Sequence, residues 1–287
     1  MHRARGAVAV VGVLAGVLIT PAVSSAAKTC KKPAEGTTCS FTIGPGDLGQ
    51  VGKNLKLTFS VPKGVNRIDA AFPKGESRKI GLGLFDQRGS GWQSPGFRGI
   101  AGEERKSVFV GTQDATPGFV AGAIKKGTWT AIVPNFLAFG KVSVSITFRF
   151  GKQGKLPTTE PVPEVVRDQA GWFKGDLHVH TTFSSDAESS GKGLTPAAMA
   201  RRAQARGLDF INLSDHNVTT QNDHLRTDSP AGFLLLGGEE VTTWIGGPGH
   251  MTAAGLQSGD WLDWRFRPRN GRYANTISWT ADDRPVQ

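Results

Sequence analysis

Apolar and polar residues alternate with a period of two through four segments of the first half: Leu55–Val61, Ile80–Phe85, Trp129–Val133 and, most clearly, Lys141–Phe150. That period puts successive side chains on opposite faces of an extended chain, so each segment is predicted as a half-buried strand. Clusters of Gly, Pro, Asn and Asp, the residues that form turns, separate them. Their regular spacing predicts a β-sandwich or jelly-roll of about seven or eight strands over residues 28–150.

The pattern changes after Phe150. Residues 151–171 are proline-rich and polar, as in a semi-extended linker. From Trp172 onward a new domain, residues 172–287, is predicted. It opens with a strand at Leu177–Val179. A helix over residues 197–206 follows, with Thr195 as its cap, Pro196 at its first position and Gly207 as its stop. Two more strands are predicted at Leu208–Leu213 and Phe233–Leu236, and the strand, helix, strand order predicts a parallel α/β sheet.

With 287 residues, 38% hydrophobic and 20% charged, the chain can bury two cores and is not expected to be disordered. Its net charge of +10 is uneven, with 20 Lys/Arg against 8 Asp/Glu in residues 1–150 and 14 against 16 in the rest. The basic half suits a solvated face or contact with an anionic envelope or polysaccharide, rather than specific nucleic-acid binding. His2, Arg3 and Arg5, the apolar run Ala7–Ile19 and the small residues Val23–Ala27 predict a cleaved signal peptide over residues 1–27. No transmembrane anchor is expected after cleavage, and the destination is the cell envelope or the medium. Cys30 and Cys39, the only cysteines, suit a small disulfide loop there, and without further ligands they do not make a zinc site.

The candidate chemistry lies in the second half. His178 and His180 are two apart on a predicted strand, so both imidazoles face one way and can share a metal ion. Asp186 follows the first strand, Asp215 and His216 the second, Glu240 the third, and His250 the turn Gly246–Gly249. Carboxyl ends of parallel strands converge, which would gather these residues around one pocket. Asp186 could instead cap its own turn, while Glu239 is expected to face solvent and His224 to be a solvated loop residue. No Gly-x-Ser-x-Gly motif offers a serine nucleophile.

Gly175-Asp-Leu-His-Val-His-Thr181, Ser185-Asp186, Ser214-Asp-His-Asn217, Gly238-Glu-Glu-Val241 and Gly249-His250 resemble, in order, the motifs of the PHP (polymerase and histidinol phosphatase) superfamily. Gly83-Leu-Phe-Asp86, Phe97-Arg-Gly99, Ala115-Thr-Pro-Gly-Phe119 and Gly127-Thr-Trp129 resemble the β-domain that precedes it in exported carbaryl-hydrolase-like metallohydrolases. The resemblance implies a β-sandwich followed by a distorted (β/α) barrel. It also implies a metal-dependent hydrolase acting on small molecules: phosphoesters first, carbamates, esters or amides second. His178, His180 and Glu240 would hold one ion, Glu240 would bridge to a second held by His250, and Asp186 and His216 would serve another. Asp176 and Asp215 would orient neighbouring ligands. Two or three Zn, Mn or Fe ions suit such a donor set. The later Asn-His-Pro-like and Asp-x-His-like motifs are missing, so the barrel is expected to be incomplete and C-terminally truncated. The alternative is a non-catalytic exported binding protein with a vestigial metal domain.

Overall fold

The computed structural model describes residues 35–44, 54–72, 80–134, 142–155, 168–243, 249–265, 268–269 and 272–273. The signal peptide, Cys30, most of the linker and the start of the Gly246–Gly249 turn lie outside the described residues.

The described residues of the first half form eight strands: β1 (Thr38–Ile43), β2 (Asn54–Val61), β3 (Val65–Ala71), β4 (Leu82–Phe85), β5 (Phe97–Ala101), β6 (Ser107–Gly111), β7 (Gly127–Pro134) and β8 (Val142–Phe150). They form two antiparallel four-stranded sheets in the orders β1-β8-β3-β6 and β2-β7-β4-β5. The alternation in β8 turns Val142, Val144, Ile146 and Phe148 inward, and all four are buried. Phe59 of one sheet lies between Phe41 and Phe148 of the other, with ring centroids 6.5 and 6.1 Å away, so the two inner faces share one core around the fully buried Trp129. Each such side chain contributes about 1.5–3 kcal/mol by leaving water. Cys39, buried on β1, is disulfide-bonded.

In the second half, among the described residues, Pro268–Arg269 and Arg272–Tyr273 pair as a small two-stranded sheet separate from the main, mixed sheet. The strands of the main sheet are β9 (Gly175–Val179), β10 (Phe210–Leu213), β11 (Leu234–Thr242) and β12 (His250–Ala254), in the order β12-β11-β10-β9. The first three are parallel, and β12 returns antiparallel to β11. Between them lie α1 (Ser185–Ser189), α2 (Pro196–Ala205), a 3-10 turn (Thr220–His224) and α3 (Leu225–Asp228). Thr195 Oγ1 caps α2 by accepting from Ala198 N at 3.3 Å, and Ala200 and Ala203 pack it on Ile211, Leu213 and Leu235.

This corrects the expected fold class, because the described residues of the second half form no (β/α) barrel. Among the described residues of this half, three parallel strands are followed by an antiparallel one in an open sheet, whereas such a barrel is closed and wholly parallel. Two local features account for the difference. A Cβ at Gly237 or Gly238 would collide with the carbonyl of Leu256 or Ala253, so these glycines admit the returning chain against β11 and end the parallel series. The face of β11 carrying Val241 is covered by the sandwich, through Phe85, Phe97, Ile100 and Ile132 together with Leu262 and Trp264.

The segment Trp261–Arg265 fastens this contact. Trp261 stacks on Phe97 at 4.1 Å, Asp263 Oδ2 accepts from Gln93 N at 2.9 Å, and Arg265 donates to the carbonyls of Ser90 (2.8 Å) and Gly91 (2.5 Å). The two halves thus share a hydrophobic core.

Candidate metal centre

The ends of β9, β10 and β11 are tied together by short-range polar contacts. Ser214 N donates to Val179 O (2.9 Å) and Val179 N to Ser214 Oγ (3.0 Å), so His180 leaves β9 beside Asp215 and His216. Glu240 N donates to Asp215 O (3.1 Å) and Asn217 N to Glu240 O (3.0 Å), which brings His216 level with Glu240. The pairing of Thr242 with His250 then carries the β12 histidine to the same place.

Four imidazoles surround the Glu240 carboxylate, which is only 2% exposed. Its Oε2 lies 2.8 Å from His178 Nε2, 2.7 Å from His180 Nε2 and 3.4 Å from His216 Nδ1, and its Oε1 lies 2.5 Å from His250 Nδ1. His180 turns its other nitrogen, Nδ1, to Asp186 Oδ2 at 3.2 Å, and His216 Nε2 is 3.8 Å from the same oxygen. Three overlapping groups result: His178, His180 and Glu240; His180, Asp186 and His216; and His216, Glu240 and His250. In each, three ligand atoms lie within 4.8 Å of one another, so each could hold a metal ion.

The donor set fits a cation. His178 Nε2 and His180 Nε2 are 3.2 Å apart, close to the ~3.3 Å edge of a tetrahedron with metal–nitrogen bonds of about 2.0–2.1 Å. Both nitrogens face the same carboxylate oxygen. Without an ion, both would have to present protons there, and the protons would crowd each other.

The polar frame is charged accordingly. Burial opposes a proton on His180, but the hydrogen bonds to Asp186 and Glu240 outweigh it and raise the ring to about 9. Burial also acts against the Asp186 and Glu240 charges, yet their histidine partners hold both carboxyls below the usual range. His216 is lowered, chiefly by burial. Burial raises Asp215 to about 6 despite three hydrogen bonds that favour its charge.

All six residues proposed as ligands from the sequence meet in this cluster: His178, His180, Asp186, His216, Glu240 and His250. Glu240 lies inside β11 rather than just beyond a strand, because β11 runs on to Thr242. Asp176 does not touch a ligand ring and instead accepts from His178 N at 2.9 Å. Asp215 supports a backbone turn, accepting from Thr181 N (2.6 Å), Thr181 Oγ1 (2.8 Å) and Ser184 N (3.1 Å). Glu239 is not solvent-facing. It is fully buried against the sandwich, accepts from Leu262 N at 2.7 Å and is raised well above its ordinary range by that burial. His224 is exposed and belongs to none of the three groups.

The sequence did not single out Thr242 and Ser184. Thr242 Oγ1 lies 2.5 Å from His216 Nδ1, and Ser184 Oγ donates to Asp186 Oδ1 and accepts from His216 N at 3.2 Å. Thr242 was open to inference, since it stands two residues beyond Glu240 on the same strand face.

No protein-family model matches the chain, and no curated protein matches it either.

Proposed function

We propose that this chain is a metal-dependent hydrolase acting on phosphoesters of small molecules. The observation that carries this reading is the convergence of four imidazoles on the buried carboxylate of Glu240, with Asp186 beside His180 and His216. The ordered resemblance of the same residues to PHP-superfamily motifs supports it. Export is supported by the disulfide at Cys39, a bond that persists in oxidising compartments.

His180 and His216 each belong to two of the three groups, and a neutral imidazole serves one ion at a time. Two ions would therefore be held together only by His178, His180 and Glu240 for one and His216, His250 and Glu240 for the other. Asp186 then holds His180 by its distal nitrogen, as carboxylates do for metal-bound histidines. Zn, Mn or Fe suits these donors and, when bound, would polarise a phosphoryl or carbonyl oxygen and make a water acidic near neutral pH. The protein's own contribution is to fix its donors: Ser184 holds Asp186, and Asp186 in turn holds the His180 ring. His178 and His250 are half-exposed, leaving the cluster open to a substrate on that side.

The test is hydrolysis of p-nitrophenyl phosphate by protein loaded with Zn, Mn or Fe, with a p-nitrophenyl ester and an aryl carbamate assayed in parallel. Activity on the phosphate that disappears in His180→Ala supports the proposal. Turnover of the ester or carbamate alone would move the substrate class. No turnover on any of them with metal bound would favour a non-catalytic protein.

A further inference from the structure

We propose that Arg105, in the sandwich, is a positioning residue of the metal centre: it sets the Thr181–Asp186 turn so that Asp186 meets His180. This rests on the reading of the cluster as a metal centre. The turn is gripped on two sides. From inside, Asp215 takes the N–H groups of Thr181 and Ser184 and the Thr181 hydroxyl. From outside, Thr182 N donates to Leu194 O at 3.0 Å within the second half, and the remaining grip comes from the sandwich. Arg105, 8% exposed, donates to Thr182 O at 3.1 Å and to Pro117 O, bridging the turn to the loop before Phe119. Gly102 N donates to Ser185 Oγ at 3.2 Å, and that hydroxyl donates to Glu104 Oε2 at 3.1 Å. At Gly118 a Cβ would lie 3.0 Å from both Phe183 O and a Val218 methyl, so the sandwich backbone packs directly on the turn and on the segment after His216.

These contacts matter because Asp186 sits at the end of the turn with its side chain 44% exposed. Its place near His180 and His216 is therefore set by the backbone that carries it and by Ser184, which belongs to the same turn. A guanidinium is suited to the outer grip, since its rigid planar fork fixes the two carbonyls relative to each other, which the rotating donors of a lysine do not. The sandwich is thus a scaffold for the centre and not a separate appendage.

The test uses the full chain with Arg105→Met and, in case that variant fails to fold, Ser185→Ala, which removes only the Gly102 and Glu104 links. Amide hydrogen exchange is measured on metal-free protein, and Zn²⁺ affinity by chelator competition. The expected result is faster exchange at Thr181 and Ser184, unchanged protection in β7 and β8, and Zn²⁺ binding weakened by about tenfold or more, as for lost supports of metal-bound histidines. Unchanged exchange at Thr181 and Ser184 would overturn the grip, and a loosened turn with undiminished Zn²⁺ affinity would overturn its role at the centre. If the unaltered protein takes up no Zn²⁺, the metal reading fails, and the exchange data alone decide whether the sandwich holds the turn.

Discussion

Glu240→Gln keeps the size of the side chain and removes the carboxylate common to the His178–His180 and His216–His250 ligand sets. The amide presents a single acceptor oxygen and turns an N–H₂ toward imidazoles that approach the carboxylate from both sides, at 2.7–2.8 Å on Oε2 and 2.5 Å on Oε1. Even lost supports of metal ligands weaken binding by about 10–100-fold, so loss of a direct, charged ligand is expected to cost at least ~100-fold at each site. With metal at about 100 times the wild-type Kd, each ion stabilises the fold by about 2.7 kcal/mol. At about 2 °C per kcal/mol for a chain of this size, that is a rise in Tm of roughly 5 °C for one ion and 10 °C for two. At the same metal concentration the variant gains about 0.4 kcal/mol per ion, a shift of under about 1 °C. The assay is a thermal melt with and without Zn²⁺ or Mn²⁺. Glu239→Gln, altered next door on the opposite face of β11, should keep the full shift. A Glu240→Gln protein whose Tm rises as much as the wild type's would refute the assignment of Glu240 as the shared ligand.

Burial raises Glu239 above 4.5, so in the folded protein it keeps a proton that the unfolded chain gives up. The stability it contributes is complete below about pH 4.5 and is lost as pH rises toward the folded value, at up to ~1.4 kcal/mol per unit; Glu239→Gln should flatten that part of a urea-stability profile. Trp264→Ala empties a site lined by Phe85 and Phe97 and should cost about 3–5 kcal/mol in urea unfolding, with both halves lost in a single transition because their core is shared. Asp215→Ala strands two buried N–H groups and a hydroxyl and should cost about 1–3 kcal/mol for each, read in the same experiment, whereas Asp176→Ala, at an exposed position, should cost under about 1 kcal/mol.

The candidate ligands were readable largely through local rules: a period of two placed His178 and His180 together and a strand end placed His216, whereas Asp186 arrives on α1 beyond the turn that follows β9. What escaped the sequence depends on contacts between distant segments. Glu239 follows the same polar pattern as Glu240, and only the sandwich lying on that face of β11 makes it buried. The extension of β11 to Thr242 and the antiparallel return of β12 depend on backbone approaching Gly237 and Gly238, where glycines in sequence also read as an ordinary turn signal. The barrel was inferred from motif order, and motif order fixes which residues meet without fixing how many strands enclose them. Residues 151–171 looked like a boundary between independent parts, yet Trp261–Arg265 returns to clasp residues 90–97 across more than 160 positions of sequence.

The central claim, that these side chains form a metal centre, is tested most directly by elemental analysis of the purified, dialysed chain beside a His178→Ala, His180→Ala double variant. The account predicts Zn, Mn or Fe bound in proportion to wild-type protein and lost from the variant while its sandwich stays folded. Wild-type protein that retains none of these metals after incubation with each, or a variant that retains as much as the wild type, would contradict it.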